Sequence, residues 1–179
     1  MNTRQIAPNW TADLARLTAP SSLHEWLAGE GLLTERVRCA CPGTAALRVV
    51  DEYRATLPAA EAALLETDPG GGFFREIHLT CDDRPLVFAQ TLVPAATLAA
   101  APWLAHMGEE ALGPRLARAP GASRGPLEFA RLLPGDPLYR RASAGATRTV
   151  TELWARRATY RLSGLGLVVQ EVFLPEVTG

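Results

Sequence analysis

The chain has 179 residues, 47% of them hydrophobic, with 18 basic and 19 acidic residues and a formal net charge of −1. That balance argues against a nucleic-acid-binding surface, which needs a basic excess. The length suffices for a single domain, residues 1–179, that buries most of its surface without staples. Every basic residue is Arg and none is Lys, which excludes Schiff-base and other lysine chemistry.

Met1 to Ile6 lack the apolar run of a signal peptide. The longest greasy stretch, around Ala95 to Ala105, is interrupted by Pro102 and too short to span a bilayer. A soluble, cytoplasmic protein is expected. Three cysteines, an odd count, fit a reducing compartment. All three are expected as small buried residues. Cys39 and Cys41 are not expected to share a metal ion.

Residues 11–17 and 21–28 carry helical spacing, the second with Ser21 and Ser22 as its cap. Residues 35–41 and 46–56 read as strands split by the turn Pro42-Gly43-Thr44. Residues 58–66 suggest a short helix with Pro58 near its start, and 68–72 a flexible loop. Two hairpins follow, far apart in sequence. The first turns at Asp82-Asp83 and ends before Pro94; the second turns near Gly164-Leu165 and ends before Pro175. Between them, residues 97–107, 109–116 and 127–132 look helical, while 119–126 and 134–145 look like loops. This order predicts an α+β domain, a single antiparallel sheet with helices packed on one face.

Arg75 breaks the pattern. Ile77, Leu79 and Cys81 share one side of their strand, and Arg75 falls on that apolar side. A guanidinium stays charged when buried, so it needs an anion there. A two-residue turn at Asp82-Asp83 would set Gln90 opposite Arg75, and Gln90 cannot neutralise it. In the second hairpin Glu171 also points toward an apolar layer, with Ala158 expected opposite. Either Arg75 and Glu171 pair with each other, or a ligand lies between them. On the residues alone the direct pair is the preferred reading, yet an internal ion pair is costly and apolar substitutes are often as stable, so function is one reason to keep such charges. His78 falls on the polar face and is expected to be solvated. His24 and His106 have no metal-binding spacing, so no metal is expected. Arg140-Arg141 and Arg156-Arg157 read as solvated basic pairs.

Several segments resemble the chorismate pyruvate-lyase family: Phe74-Arg75-Glu76-Ile77, Ala111-Leu112-Gly113, Leu153-Trp154-Ala155-Arg156-Arg157, Arg161-Leu162-Ser163-Gly164 and Glu171-Val172-Phe173-Leu174-Pro175. Gly31 to Arg36 resembles the segment before the family's first strand. The likeness runs from about Leu23 onward, in the family's order. It implies a cofactor-free elimination of pyruvate from chorismate, giving 4-hydroxybenzoate for ubiquinone, by a monomer. It carries the substrate carboxylate onto Arg75 and the ring hydroxyl onto Glu171, as catalytic and binding residues. It adds backbone contacts from Leu33 and Leu112. Leu33 departs from a Met known at that position, a change that a backbone contact survives. Residues 119–151 align poorly and carry no assigned role. The segments 31–34 and 68–72 are expected to act as flaps. The competing reading is an effector-sensing domain that binds a small aromatic acid without turning it over. Such regulators are similar in fold, but they carry a DNA-binding helix-turn-helix ahead of the domain, and few residues precede Leu23.

Overall fold

A computed structural model describes residues 8–178. In chain order the elements are α1 (Ser21–Ala28), α2 (Leu33–Ala40), β1 (Ala45–Thr56), α3 (Ala59–Leu64), β2 (Gly71–Cys81), β3 (Arg84–Pro94), α4 (Ala95–Ala100), α5 (Leu112–Arg118), β4 (Ala122–Arg124), β5 (Glu128–Leu132), α6 (Pro137–Ser143), β6 (Leu153–Leu162) and β7 (Leu165–Phe173). The strands form one seven-stranded antiparallel sheet in the order β1-β2-β3-β7-β6-β4, with β5 also on β6. This is the expected α+β sheet with helices. α1 and α2 pack Leu23, Leu27, Leu33 and Val37 against Ile77, Leu79 and Ala89. α4 and α5 pack Leu98 and Leu116 on the same face, against Phe73, Val93 and Leu167. The short helices α3 and α6 cover the other face, against Phe74, Leu92 and Val168 and against Phe88 and Val172, so the helices are not confined to one face as expected: both faces of these strands carry apolar side chains to cover.

Both hairpins close through two residues of positive φ, Asp82 (48°) with Asp83 (62°) and Ser163 (50°) with Gly164 (86°). That is the mirror-image turn whose twist matches the strands. The first turn is where the sequence puts it, but the register beyond it is not. A bulge between Leu79 and Thr80 shifts the pairing by one, so Arg75 faces Thr91 and Gln90 faces Glu76. A shift of one changes face, and Gln90 Nε2 accordingly donates to Glu76 Oε1 at 2.7 Å, away from Arg75. The second turn lies one residue earlier than expected. Glu171 therefore pairs with Arg156, not Ala158.

Other local expectations are corrected. Residues 35–41, expected as a strand, belong mostly to α2: Leu33 and Val37, one turn apart, are both buried, and Glu35 pairs with Arg38 on the outside. Residues 127–132, expected as a helix, supply β5, because Phe129, Ala130 and Leu132 fill the core beside β6. The expected loop 134–145 contains α6, started by Asp136 accepting from Leu138 N–H with Pro137 in the first turn. The expected loop 119–126 contains β4, and the expected helix over 11–17 shrinks to a 3-10 turn at Leu14–Arg16, with Thr11 paired to Phe129. Cys41 and Cys81 form a disulfide and Cys39 is exposed, so the three thiols are not small free core residues. Arg156 and Arg157 are buried, not solvated. Arg141 reaches in to Glu76 and Asp51. His78 is half-buried against Phe88 with Nε2 unpartnered. No helix among the described residues is long and apolar enough to cross a membrane.

Candidate active site

A cavity of about 290 Å³ lies between the sheet and the N-terminal ends of α2 and α5. Its floor is two register rows of the sheet. One row is Arg75, Thr91, Val169 and Ala158; the next is Ile77, Ala89, Glu171 and Arg156. The middle of the floor is made by Ala89, Thr91, Ala158 and Val169, all smaller than their neighbours. Small side chains under a helical roof leave the space unfilled, because helices pack at a distance set by the larger side chains around them. The charged groups stand at the ends, Arg75 on β2 and Glu171 with Arg156 on β7 and β6.

Arg75 is 3% exposed. Its Nη2 donates to the carbonyls of Gly108 (2.6 Å) and Glu110 (3.1 Å) in the turn leading to α5. Glu52 Oε1 on β1 lies 3.2 Å from Nε, close enough for charge attraction. Its direction is poor, and Nε is buried without a hydrogen bond. Burial lowers the pKa of this arginine, and the Glu52 carboxylate partly restores it. Nη1 makes no hydrogen bond among the described residues, which leaves that one nitrogen open for a ligand anion.

At the other end, Arg156 Nε donates to Glu171 Oε2 at 2.6 Å. Its Nη1 donates to the carbonyls of Trp26 (3.1 Å), Leu27 (3.3 Å) and Gly29 (2.8 Å), where α1 ends. Those carbonyls have lost their intrahelical donors, so a guanidinium there satisfies several at once. Arg75 and Arg156 thus do parallel work. Each spans from the floor to the turn that carries one roof helix, Arg75 to the turn before α5 and Arg156 to the turn before α2. The two roof segments also touch: a Cβ on Gly113 would lie 3.0 Å from Leu32 Cδ2.

Leu33 and Leu112, the two residues expected to offer backbone contacts, begin α2 and α5, and both line the cavity. Neither helix has a side-chain cap, so their first N–H groups remain available toward the cavity end. Gly31 to Thr34, expected as a flap, lines the cavity; residues 68–72 do not, and Gly71 and Gly72 already belong to β2. Arg75 and Glu171 line one cavity and make no ion pair with each other. The direct Arg75–Glu171 pairing is therefore absent. Sequence reasoning missed Glu52, Arg156 and Arg124. Arg156 shares the parity of Glu171's face and could have been found with the correct turn. Glu52 required a second bulge, between Val49 and Asp51, which has no plain sequence signal.

Arg124 stands on the edge strand β4 opposite Tyr160, and both line the cavity. Arg124 is exposed and makes no ion pair among the described residues. Burial raises the Tyr160 pKa, the Glu171 carboxylate raises it further, and the Arg124 and Arg156 guanidinium groups pull it back. No cluster of three or more His, Cys, Asp or Glu residues suited to a metal ion occurs among the described residues.

The fold and cavity define a class: an antiparallel-sheet domain with a small, mostly apolar chamber that carries guanidinium groups at both ends. The same sheet architecture occurs in effector domains of transcription regulators. That of PhnF from Mycobacterium smegmatis superposes with a TM-score of 0.58 at 17% identity, covering 82% of this chain and 90% of that one. A GntR-family regulator from Bacillus cereus gives 0.56 at 16% identity, covering 74% and 92%. At such identities the likeness concerns the fold alone. The sequence is more specific. The chorismate lyase family model matches residues 9–178. Proteins named "Probable chorismate pyruvate-lyase" from Dechloromonas aromatica and Aromatoleum aromaticum are each 36% identical to it, covering 94% and 99% of this chain and 96% and 97% of their own lengths. The chain belongs to the chorismate lyase family.

Proposed function

We propose that this chain is a carbon–oxygen lyase that eliminates pyruvate from chorismate to give 4-hydroxybenzoate, the first committed step toward ubiquinone, as a cofactor-free monomer. The observation that carries the reading is the chamber between Arg75 and Glu171, in a chain whose family is established by sequence. Chorismate is a dianion with a ring carboxylate at one end and a hydroxyl across the ring. Arg75 would bind the ring carboxylate through its open Nη1 in a charge-assisted contact. Glu171, held by Arg156, would accept from the ring hydroxyl. The backbone N–H groups of Leu33 and Leu112 would supply further donors from the roof.

The reaction breaks the ether bond between the ring and the enolpyruvyl oxygen. The hydrogen on the hydroxyl-bearing ring carbon moves to the terminal methylene of the arm, which becomes the methyl group of pyruvate. The ring becomes aromatic, which supplies the driving force. The protein's share is to hold the arm over that hydrogen and to stabilise shifting charge. A floor of small side chains fits a planar ring, and the two roof segments restrict its departure, so slow product release belongs to this reading. So does a cytoplasmic location, where a reducing medium would open the Cys41–Cys81 bridge.

The effector-sensing alternative is disfavoured, because the regulator domains share the fold at 17% identity or less in the comparisons above, whereas the lyase relatives reach 36%. The test is to incubate purified protein with chorismate and follow pyruvate together with 4-hydroxybenzoate and its 3-hydroxy isomer. Equimolar pyruvate and 4-hydroxybenzoate are expected. Binding of 4-hydroxybenzoate without turnover of chorismate would establish the sensor instead.

A further inference from the structure

The chamber lining holds three arginines, Arg75, Arg124 and Arg156, and one carboxylate, Glu171. Two of the arginines are engaged. Arg156 is paired with Glu171, and Arg75 holds the turn before α5 with Glu52 at its back. Arg124 alone of the three makes no ion pair among the described residues. A long cationic side chain on an edge strand normally extends into water and lines nothing. Here it borders the same cavity as Tyr160 and Ser123, at the side farthest from Arg75.

The sheet order gives this placement a meaning. Moving across the strands from Arg75 on β2 one meets β3, then β7 with Glu171, then β6 with Tyr160, then β4 with Arg124. A ligand whose ring carboxylate sits at Arg75 and whose hydroxyl sits at Glu171 sends its next substituent sideways from the Glu171 half of the ring, the half of the chamber that β6 and β4 border with Tyr160 and Arg124. In chorismate the enolpyruvyl ether is attached to the carbon beside the hydroxyl-bearing one, and that arm ends in the second carboxylate. The lining offers two more cationic than anionic groups, which matches a dianion and overmatches the monoanionic aromatic product.

We propose that Arg124 is the receptor for the second carboxylate, so that the chamber has a distinct subsite for an acidic side arm ortho to the hydroxyl. The assignment rests on the chorismate reading given above. It makes Arg124 the group that distinguishes substrate from product. The dianion engages both Arg75 and Arg124; the aromatic acid left after elimination keeps its contacts with Arg75 and Glu171 and has no group for Arg124. Tyr160, opposite Arg124 on β6 and lining the same cavity, is placed to donate its phenol proton to the same carboxylate.

The test uses binding, not turnover. Calorimetry on the full chain compares 4-hydroxybenzoate with two unreactive analogues bearing an arm next to the hydroxyl, one a charged carboxymethoxy group and one a neutral methoxy group. In Arg124→Gln the charged-arm analogue is expected to bind about 10- to 100-fold more weakly, as for loss of one charge-assisted contact, with the other two ligands within about twofold of wild type. Arg124→Lys is expected to recover part of the loss. Equal weakening of all three ligands, or no weakening of the charged-arm analogue, would overturn the subsite. The two readings fail separately. A charge-selective loss in a protein that does not consume chorismate keeps the subsite and removes the lyase. Full turnover of chorismate with no charge-selective loss keeps the lyase and removes the subsite.

Discussion

Replacing Arg156 by Gln tests the proposed division of labour on the chamber floor. Arg156 is 2% exposed and forms the 2.6 Å pair with Glu171, whose side chain keeps 21% of its exposure. Breaking a buried pair by deleting one partner costs about 3–5 kcal/mol, because the remaining charge is left without compensation. Glu171 can recover water through the chamber, so the cost belongs near the lower limit, about 3 kcal/mol. That value already includes the lost donor to the α1 carbonyls. For a chain of this size it corresponds to a fall in Tm of about 6–12 °C. The assay is thermal and urea denaturation of wild type, Arg156→Gln, Glu171→Gln and the double variant. The single losses should not add: a coupling energy of about 1 kcal/mol or more is expected for groups in direct contact. Strict additivity, or a fall in Tm below about 2 °C for Arg156→Gln, would refute the reasoning. In parallel, Glu171→Gln reports on chemistry. Near-full activity would remove any essential proton-transfer role from Glu171 while leaving its orienting role intact.

Four further outcomes are expected. Arg75→Ala should cost at least about 100-fold in kcat/KM, and Arg75→Lys should restore little, because an ammonium cannot hold the Gly108 and Glu110 carbonyls and a ligand carboxylate in one planar array; kinetics unchanged in both variants would sink the carboxylate clamp. Ala158→Leu should fill the floor, abolishing 4-hydroxybenzoate binding in a calorimeter while leaving Tm near wild type, because the added methylenes enter space that is already present; retained affinity would place the ligand elsewhere. Burial holds His78 below its ordinary pKa of 6.5, against an upward pull from the Glu76 carboxylate. The unfolded chain therefore takes up the proton first as pH falls, so the native state loses stability on going from pH 7 toward 5, and His78→Phe should flatten that part of a Tm-versus-pH profile. Cys41→Ser opens a bridge spanning 40 residues and should cost up to about 4 kcal/mol in denaturant unfolding under oxidising conditions; an excess of reductant should bring wild type to the same value, and a wild type indifferent to reductant would contradict the bridge.

Much of the candidate site was legible because one signal was local and strong. Arg75 violates the two-residue alternation of its own strand, and Glu171 does the same in the matching strand of the second hairpin. Both residues do line the chamber. Their neighbours were less legible. Gln90 was expected beside Arg75, but the bulge at Leu79 and Thr80 moves it to the opposite face, where it bonds Glu76. Arg156 looked like half of a solvated pair, yet a turn one residue earlier places it directly against Glu171. The helix and strand errors at α2 and β5 share a cause. In short apolar segments the two periodicities differ little over one turn, and tertiary burial of Val37 or Phe129 decides between them.

By itself the sequence determined the paired hairpins, the antiparallel α+β architecture, the two misplaced charges and the family. These follow from alternation, turn residues and ordered motifs, all readable within a few residues of one another. Tertiary structure alone decided that Arg75 and Glu171 do not meet and that a chamber separates them. It also decided that each end is fastened to a roof helix, through Arg75 to Gly108 and Glu110 and through Arg156 to Trp26, Leu27 and Gly29. The physical reason is register. A bulge or a displaced turn changes nothing in local preference, yet it moves every partner across the ladder. Which charge faces which is therefore a property of the assembled sheet.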